Sequence, residues 1–265
     1  QLKLMVLTLT LLMGTMFTSC MDSGESGPQQ WAGVVKVNDR MGYVTFTDAA
    51  GTELIPTNTI PVTLNARMAY IYCQVDEGQD LSTNPKSIKI TLLADPTGID
   101  ATAITTPKVG ESGDVTTNAP VGSLSFASGY STVAPFQFSE NTIVLPVLYR
   151  VKNVTTTEDI KNELAKHTFT LVCYTDDIKS GDTILKLYLR YKVEDEPAAI
   201  AERATRTSSF KAYEISQILR EYTLKSGQAK PAKITIVAQQ NEYNNKLEDT
   251  STIEKVYEIE YKTAE

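Results

Sequence analysis

The run Ile184-Leu-Lys-Leu-Tyr-Leu-Arg-Tyr-Lys-Val193 alternates between two kinds of side chain without a break. Only an extended backbone, with its repeat of two, gathers such residues onto opposite faces; a helix would scatter the leucines around its axis. The stretch therefore predicts a strand with Leu185, Leu187, Leu189, Tyr191 and Val193 on a core face. Ile184, Lys186, Tyr188, Arg190 and Lys192 take the wet face. The segments TIVLPVLYRVKN, HTFTLVCYTD, SSFKAYEIS, AKITIVAQQNE and EKVYEIEYK are likewise β-branched, aromatic and separated by polar turns. Together they predict an immunoglobulin-like β-sandwich over residues 122–265. Helical pieces interrupt it: Thr157-Glu158-Asp159 can cap IKNELAKH, AAIAERATR follows Pro197, and SQILREY supplies a further turn.

Residues 31–96 read differently. WAGVVKV, GYVTFTD, TELIP, ARMAYIYCQVD and KSIKITLLAD make five short strands broken by Asn, Asp and Gly turns, the size and count of a small barrel of the OB type. Residues 97–121 are rich in Thr, Gly, Pro and Asp and poor in large apolar groups, and read as a linker. The expected class is all-β, a small N-terminal OB-like barrel followed by the sandwich with short helical insertions.

Ahead of the barrel, Leu4 to Phe17 is an apolar run preceded by Lys3. It is shorter than the ~20 residues a spanning helix needs and has the order of a secretory signal. It ends at Phe17-Thr18-Ser19-Cys20, which is similar to a bacterial lipobox. That similarity implies a signal peptide over residues 1–19 and a diacylglyceryl thioether on Cys20, the membrane anchor. Residues 20–30 (CMDSGESGPQQ) lack apolar periodicity and read as a flexible tether. Cys73 and Cys173 lie inside apolar strand-like runs, where buried thiols are the ordinary occupants, with a disulfide between them left open.

The chemistry classes are narrow. His167 is the single histidine, at the start of a strand, where bonding to the backbone is the common role. Serine-nucleophile elbows, phosphate loops and zinc spacings are absent from the sequence. The carboxylate groups Asp176-Asp177, Glu194-Asp195-Glu196 and Glu248-Asp249 sit at turns, where solvated charge is the ordinary reading. No catalytic residue, metal or cofactor is assigned. The formal net charge of −7, from 25 Lys+Arg against 32 Asp+Glu, argues against a nucleic-acid partner. Among the aromatics, Trp31 and Tyr43 are the candidates for a ligand surface.

The lipobox, the small barrel and the order HTFTLVCYTD, ILKLYLRYKV, SSFKAYEIS, AKITIVAQQNE resemble the NigD-like lipoproteins of Bacteroidetes, with the His-Thr-x-x-Leu-Val step at His167 to Val172 the most specific piece. The resemblance implies an OB domain, a C-terminal sandwich, outer-membrane anchoring on the periplasmic face or the cell surface, and no catalytic residues. It also implies O-glycosylation of Thr183, in Asp182-Thr183-Ile184. The resulting expectation is a monomeric, non-enzymatic envelope lipoprotein with a binding or accessory role toward a protein, peptide or glycan. The alternative is a fimbrillin-like subunit, activated by cleavage after Arg40.

Overall fold

In the computed structural model the described residues are 29–40, 43–59, 64–79, 81, 85–111, 113–128 and 131–263. The signal segment, the lipobox with Cys20, and nearly all of the tether lie outside them. The chain divides into two compact units, one holding residues up to 101 with 127–133, the other residues 102–126 and 134–265.

The first unit is built on β1 (Gln30–Arg40), β2 (Tyr43–Thr47), β3 (Glu53–Pro56), β4 (Met68–Val75) and β5 (Ser87–Leu92). Their order is β1-β2-β3-β5-β4, and β4 also pairs with β1, so the sheet closes on itself. The contact between β3 and β5 is parallel and the others are antiparallel. This is the OB-like barrel the sequence predicts. Closure removes the exposed edge that five short strands would otherwise present. The interior is Trp31, Val35, Phe46, Leu54, Ala69, Ile71, Cys73, Ile88, Ile90 and Leu92, with Trp31 directly opposite Cys73 in the β1–β4 register.

β5 outruns both of its neighbours, and side-chain carboxamides complete its ladder. On one side Asn58 donates to Leu92 O and accepts from Leu92 N, both at 2.9 Å. On the other, Gln79 donates to Lys89 O at 2.8 Å and accepts from Lys89 N at 2.7 Å. Each carboxamide stands where a further strand residue would have stood, which satisfies backbone groups otherwise left open.

The expected linker is not one. Within it, β6 (Thr97–Ile99) pairs with β4 and β7 (Ala101–Ala103) with a strand of the second unit. Thr105 then bridges Val172, Asn118 pairs through its carboxamide with both backbone groups of Val193, and Val121 bridges Gln240. Ile104, Ala119 and Val121 are buried in the sandwich core. Composition misleads here because the segment is held by backbone and carboxamide bonds, with three small or medium apolar residues as its anchors.

After β8 (Phe126–Ser128) and β9 (Ser131–Val133), which pair with each other, the second unit continues with β10 (Phe136–Ser139), β11 (Thr142–Val151), α1 (Thr157–Ala165), β12 (His167–Val172), β13 (Ile184–Val193), α2 (Pro197–Ala201), β14 (Thr205–Glu214), α3 (Ser216–Ser226), β15 (Lys233–Gln240) and β16 (Ile253–Glu260). Two four-stranded sheets form, β10-β11-β14-β7 and β12-β13-β15-β16. Ile143, Leu145, Val147, Tyr149 and Tyr213 of the first share a core with Leu171, Leu185, Leu187, Leu189, Tyr191, Ile234 and Ile236 of the second. The alternation read in residues 184–193 is met residue for residue on the buried side. β13 and β15 run parallel, because α2, β14 and α3 intervene between them and carry the chain back to the same end.

Pro146 sits inside β11, where its missing N–H would ordinarily break a ladder. Leu148, two residues on, donates to Ser123 O at 2.8 Å, so the vacant position of Pro146 faces the same edge. That edge is a gap: β10 reaches only to Phe136 opposite Val144, and the bridge to Ser123 begins at Leu148.

Candidate functional site

The ends of β11, α1, β13 and α2 and the start of β12 meet in a buried ionic cluster. Thr156 caps α1, accepting from Asp159 N at 3.1 Å while donating to its carboxylate at 2.6 Å; the cap is thus one residue ahead of the expected Thr157, which is the first residue of the helix itself. The register so fixed turns Glu163, alone among the α1 side chains, into the protein. Pro197 opens α2, which ends early and delivers Arg203 to Glu163. Arg203 donates through Nε at 2.7 Å and Nη2 at 3.2 Å to the two oxygens of Glu163, through Nη2 to Asp195 at 3.1 Å, and through Nη1 to Ala199 O at 2.9 Å. Lys152 and Lys166 each reach Asp195 at 3.2 Å. The backbone N–H of Lys152 donates to Glu163 at 2.8 Å. Asp195, expected as a solvated turn charge, is thus the outer anchor of this cluster.

His167 extends the chain of bonds inward. Its Nε2 lies 3.3 Å from Glu163 Oε1 and its Nδ1 lies 2.7 Å from the Tyr191 hydroxyl. Ionised Glu163 only accepts, so Nε2 carries the proton and Tyr191 O–H donates to Nδ1. The strand-start histidine is therefore bonded to side chains on two elements rather than to backbone. Burial pushes the His167 ring below its ordinary pKa, outweighing the pull of Glu163. For Glu163 burial is the largest single influence and acts upward, yet the bonds from Lys152 N–H, Arg203 and His167 together hold it below the usual range. Asp195 is held low by Lys152, Arg203 and Lys166.

The Tyr191–His167–Glu163 line has the order of an acid–base relay but no approach for a substrate. Tyr191 is 1% exposed and His167 8%, under the rings of Tyr149 and Phe169. Its chemistry is internal: every charge has a partner, and the partners come from α1, β12, β13 and the segments just after β11, α1, β13 and α2. Buried charges of this kind specify one packing of those elements.

On the opposite face of β13, Tyr188 lies between Lys186 and Arg190, whose cations stand 5.0 and 5.1 Å from its ring centroid. Tyr174 packs edge-on against Tyr188 at 5.2 Å, accepts from Arg190 at 2.9 Å and donates to Asp114 at 2.8 Å. Two of the protein's own cations stand over the Tyr188 ring, so these β13 side chains and Tyr174 brace one another rather than form an open stacking platform.

The sequence-predicted residues scatter. Trp31 is 5% exposed within the barrel core, which corrects its reading as a ligand surface: β1 is bonded on both sides, and its alternation turns Trp31 inward. Tyr43, at the start of β2, is 58% exposed. Thr183 is exposed on an ordered turn in which Asp182 accepts from Lys179 N at 2.7 Å. Cys20 lies outside the described residues. Cys73 and Cys173 are free and buried, and burial pushes each thiol up to about 12. Among the described residues no group of three or more His, Cys, Asp or Glu side chains is placed to hold a metal, and no helix is long and apolar enough to cross a membrane.

Comparison with solved structures gives the relatives. A Bacteroides fragilis protein provisionally classed as a lipoprotein is 96% identical, with a TM-score of 0.83 over 89% of this chain and 100% of its own. The chain belongs to that lipoprotein's family. A protein of unknown function from Bacteroides vulgatus matches over 88% of this chain and 91% of its own with a TM-score of 0.55, and a NigD-like immunity protein from Bacteroides caccae over 89% and 94% with 0.51. Both are 11% identical and share the fold, which is where the resemblance to NigD-like proteins is met. No protein-family model and no curated protein sequence matches the chain.

Proposed function

We propose that this protein is a lipid-anchored, non-enzymatic component of the bacterial outer membrane that binds a protein, peptide or glycan partner, on the periplasmic face or at the cell surface. The observation that carries the reading is membership, at 96% identity, in the family of a Bacteroides protein classed as a lipoprotein. Phe17-Thr18-Ser19-Cys20 supplies the chemistry. A thioether on Cys20 with several acyl chains gives a stable anchor, since each buried methylene contributes about 0.8 kcal/mol. Thr183, exposed beside Asp182, is the proposed glycan acceptor. Catalysis is disfavoured by the seal over Tyr191 and His167. A fimbrillin-like role would need cleavage after Arg40, and this would remove β1, a strand bonded to both β2 and β4.

The deciding experiment is fractionation of cells expressing Cys20→Ala. The native protein should sediment with the outer membrane and carry the mass of a diacylglyceryl group, and the variant should lose both. A variant that stays in the membrane with unchanged mass would remove the basis of the proposal.

A further inference from the structure

Arg150 on β11 and Arg206 on β14 stand directly opposite each other in the antiparallel register. Tyr149, next to Arg150, faces the sandwich core, so both arginines project from the other side of the sheet. Like charges paired across strands destabilise a sheet, and a buried cation ordinarily has a carboxylate beside it. Here neither condition is relieved. Arg150 is 6% exposed, yet among the described residues neither guanidinium has an ion-pair partner. Arg150 donates to Ala204 O at 3.3 Å and to Glu242 O, Arg206 donates to the same Glu242 O at 2.7 Å, and the Nε of Arg150 is buried without a partner. The carboxylate of Glu242, the acidic group attached to that shared residue, is held by Gln240 Nε2 at 3.0 Å. Gln240 is in turn bonded by the Tyr257 hydroxyl.

We infer that Arg150 and Arg206 form a receptor for an oxyanion, the carboxylate, sulfate or phosphate group of a ligand. Two guanidinia fixed on one carbonyl oxygen are positioned before any ligand arrives, and planar donors of this kind match an oxyanion in pairs. Arg206 is exposed and opens the site to solvent, while Arg150 stands behind it in a poorly hydrated position where an anion is held more strongly than in water. Burial first, and the neighbouring Arg206 second, lower the pKa of Arg150. The inference goes beyond the proposed lipid anchoring and does not depend on it.

The test is calorimetric titration of the purified protein with sodium sulfate, sodium phosphate and glucuronate, at an ionic strength held constant with sodium chloride. Saturable binding of at least one is expected, and Arg206→Met should weaken it by about tenfold or more, with Arg206→Lys between the two because it keeps the charge and loses the paired donors. Arg206 is exposed, so its variants should fold, and matching melting temperatures would verify this. Tighter binding of the inorganic ions identifies a free-ion receptor; tighter binding of glucuronate identifies an acidic sugar as the ligand. Absence of saturable binding by all three anions, or native-like binding by Arg206→Met, overturns the inference.

Discussion

Arg203 grips Glu163 through two N–H···O bonds of 2.7 and 3.2 Å, although the two residues are 40 positions apart in the chain. Neither side chain is open to water, so the pair behaves differently from the surface ion pairs elsewhere on the sandwich, such as Lys225 with Asp176. Removing Glu163 leaves Arg203 with Asp195 and the Ala199 carbonyl, and removing Arg203 leaves a buried Glu163 carboxylate with only the Lys152 N–H and His167. Glu163→Gln and Arg203→Met should each lower unfolding free energy in urea by about 3 to 5 kcal/mol. The double variant Glu163→Leu/Arg203→Met should lose much less than the sum, because it leaves no uncompensated charge. Additive losses would mean that the two side chains act separately.

The same cluster sets the response to acid. The His167 ring in the folded chain titrates below its ordinary 6.5, so below that pH the unfolded chain binds a proton that the folded one refuses. Its contribution is complete above 6.5 and is lost as pH falls. Glu163 and Asp195, held below their ordinary 4.5 and 3.8, extend the loss at lower pH. Melting temperature followed from about pH 7.5 to about pH 4 should fall continuously. His167→Gln should flatten the upper part of the curve and leave the carboxylate part in place. A native curve that is level down to about pH 5 would show that His167 is protonated without cost.

Asn118 is a further point of leverage. Its carboxamide donates to Val193 O at 2.9 Å and accepts from Val193 N at 2.8 Å, fastening the supposed linker to β13. Asn118→Ala leaves both backbone groups without that partner and should cost about 1 to 3 kcal/mol. Asn118→Asp keeps the bond from Val193 N–H but sets a carboxylate oxygen against Val193 O, so it should be no better than alanine. Chemical denaturation of the three proteins checks this, and a stable aspartate variant would place the binding energy elsewhere.

The barrel and the sandwich were legible because alternation is a local property. The buried positions of residues 184–193, the five strands of the barrel and the buried states of Cys73 and Cys173 each follow from neighbours two residues away. The ionic cluster was not legible. In the sequence Glu163 reads as part of a solvated helix, Asp195 of an acidic turn and Arg203 of an alanine-rich segment, and only the packing of α1 and α2 around β12 and β13 brings them together. Trp31 is core for a related reason: the pairing of β1 with β4, which no local pattern displays, turns it into the barrel. Residues 97–121 failed because backbone and carboxamide bonds carry no hydrophobic pattern.

The two strand cysteines give a last prediction. Cys73 lies in the barrel core opposite Trp31, and Cys173 lies in the sandwich core, each in its own unit. Burial pushes both thiols up to about 12, so the thiolate that attacks an alkylating reagent is scarce at neutral pH, and the reagent has no path to it. In a Cys20→Ala background, native protein should react negligibly with a disulfide reagent at neutral pH, and protein unfolded in urea should release two equivalents, matching the two free cysteines. Because the units carry one cysteine each, adding the reagent along a urea gradient reports on them separately. If one equivalent appears at lower urea than the other, peptide mapping of the labelled cysteine identifies which core opens first. Two equivalents released together would instead make the units one cooperative block, and prompt labelling of native protein would contradict the burial of both sulfur atoms.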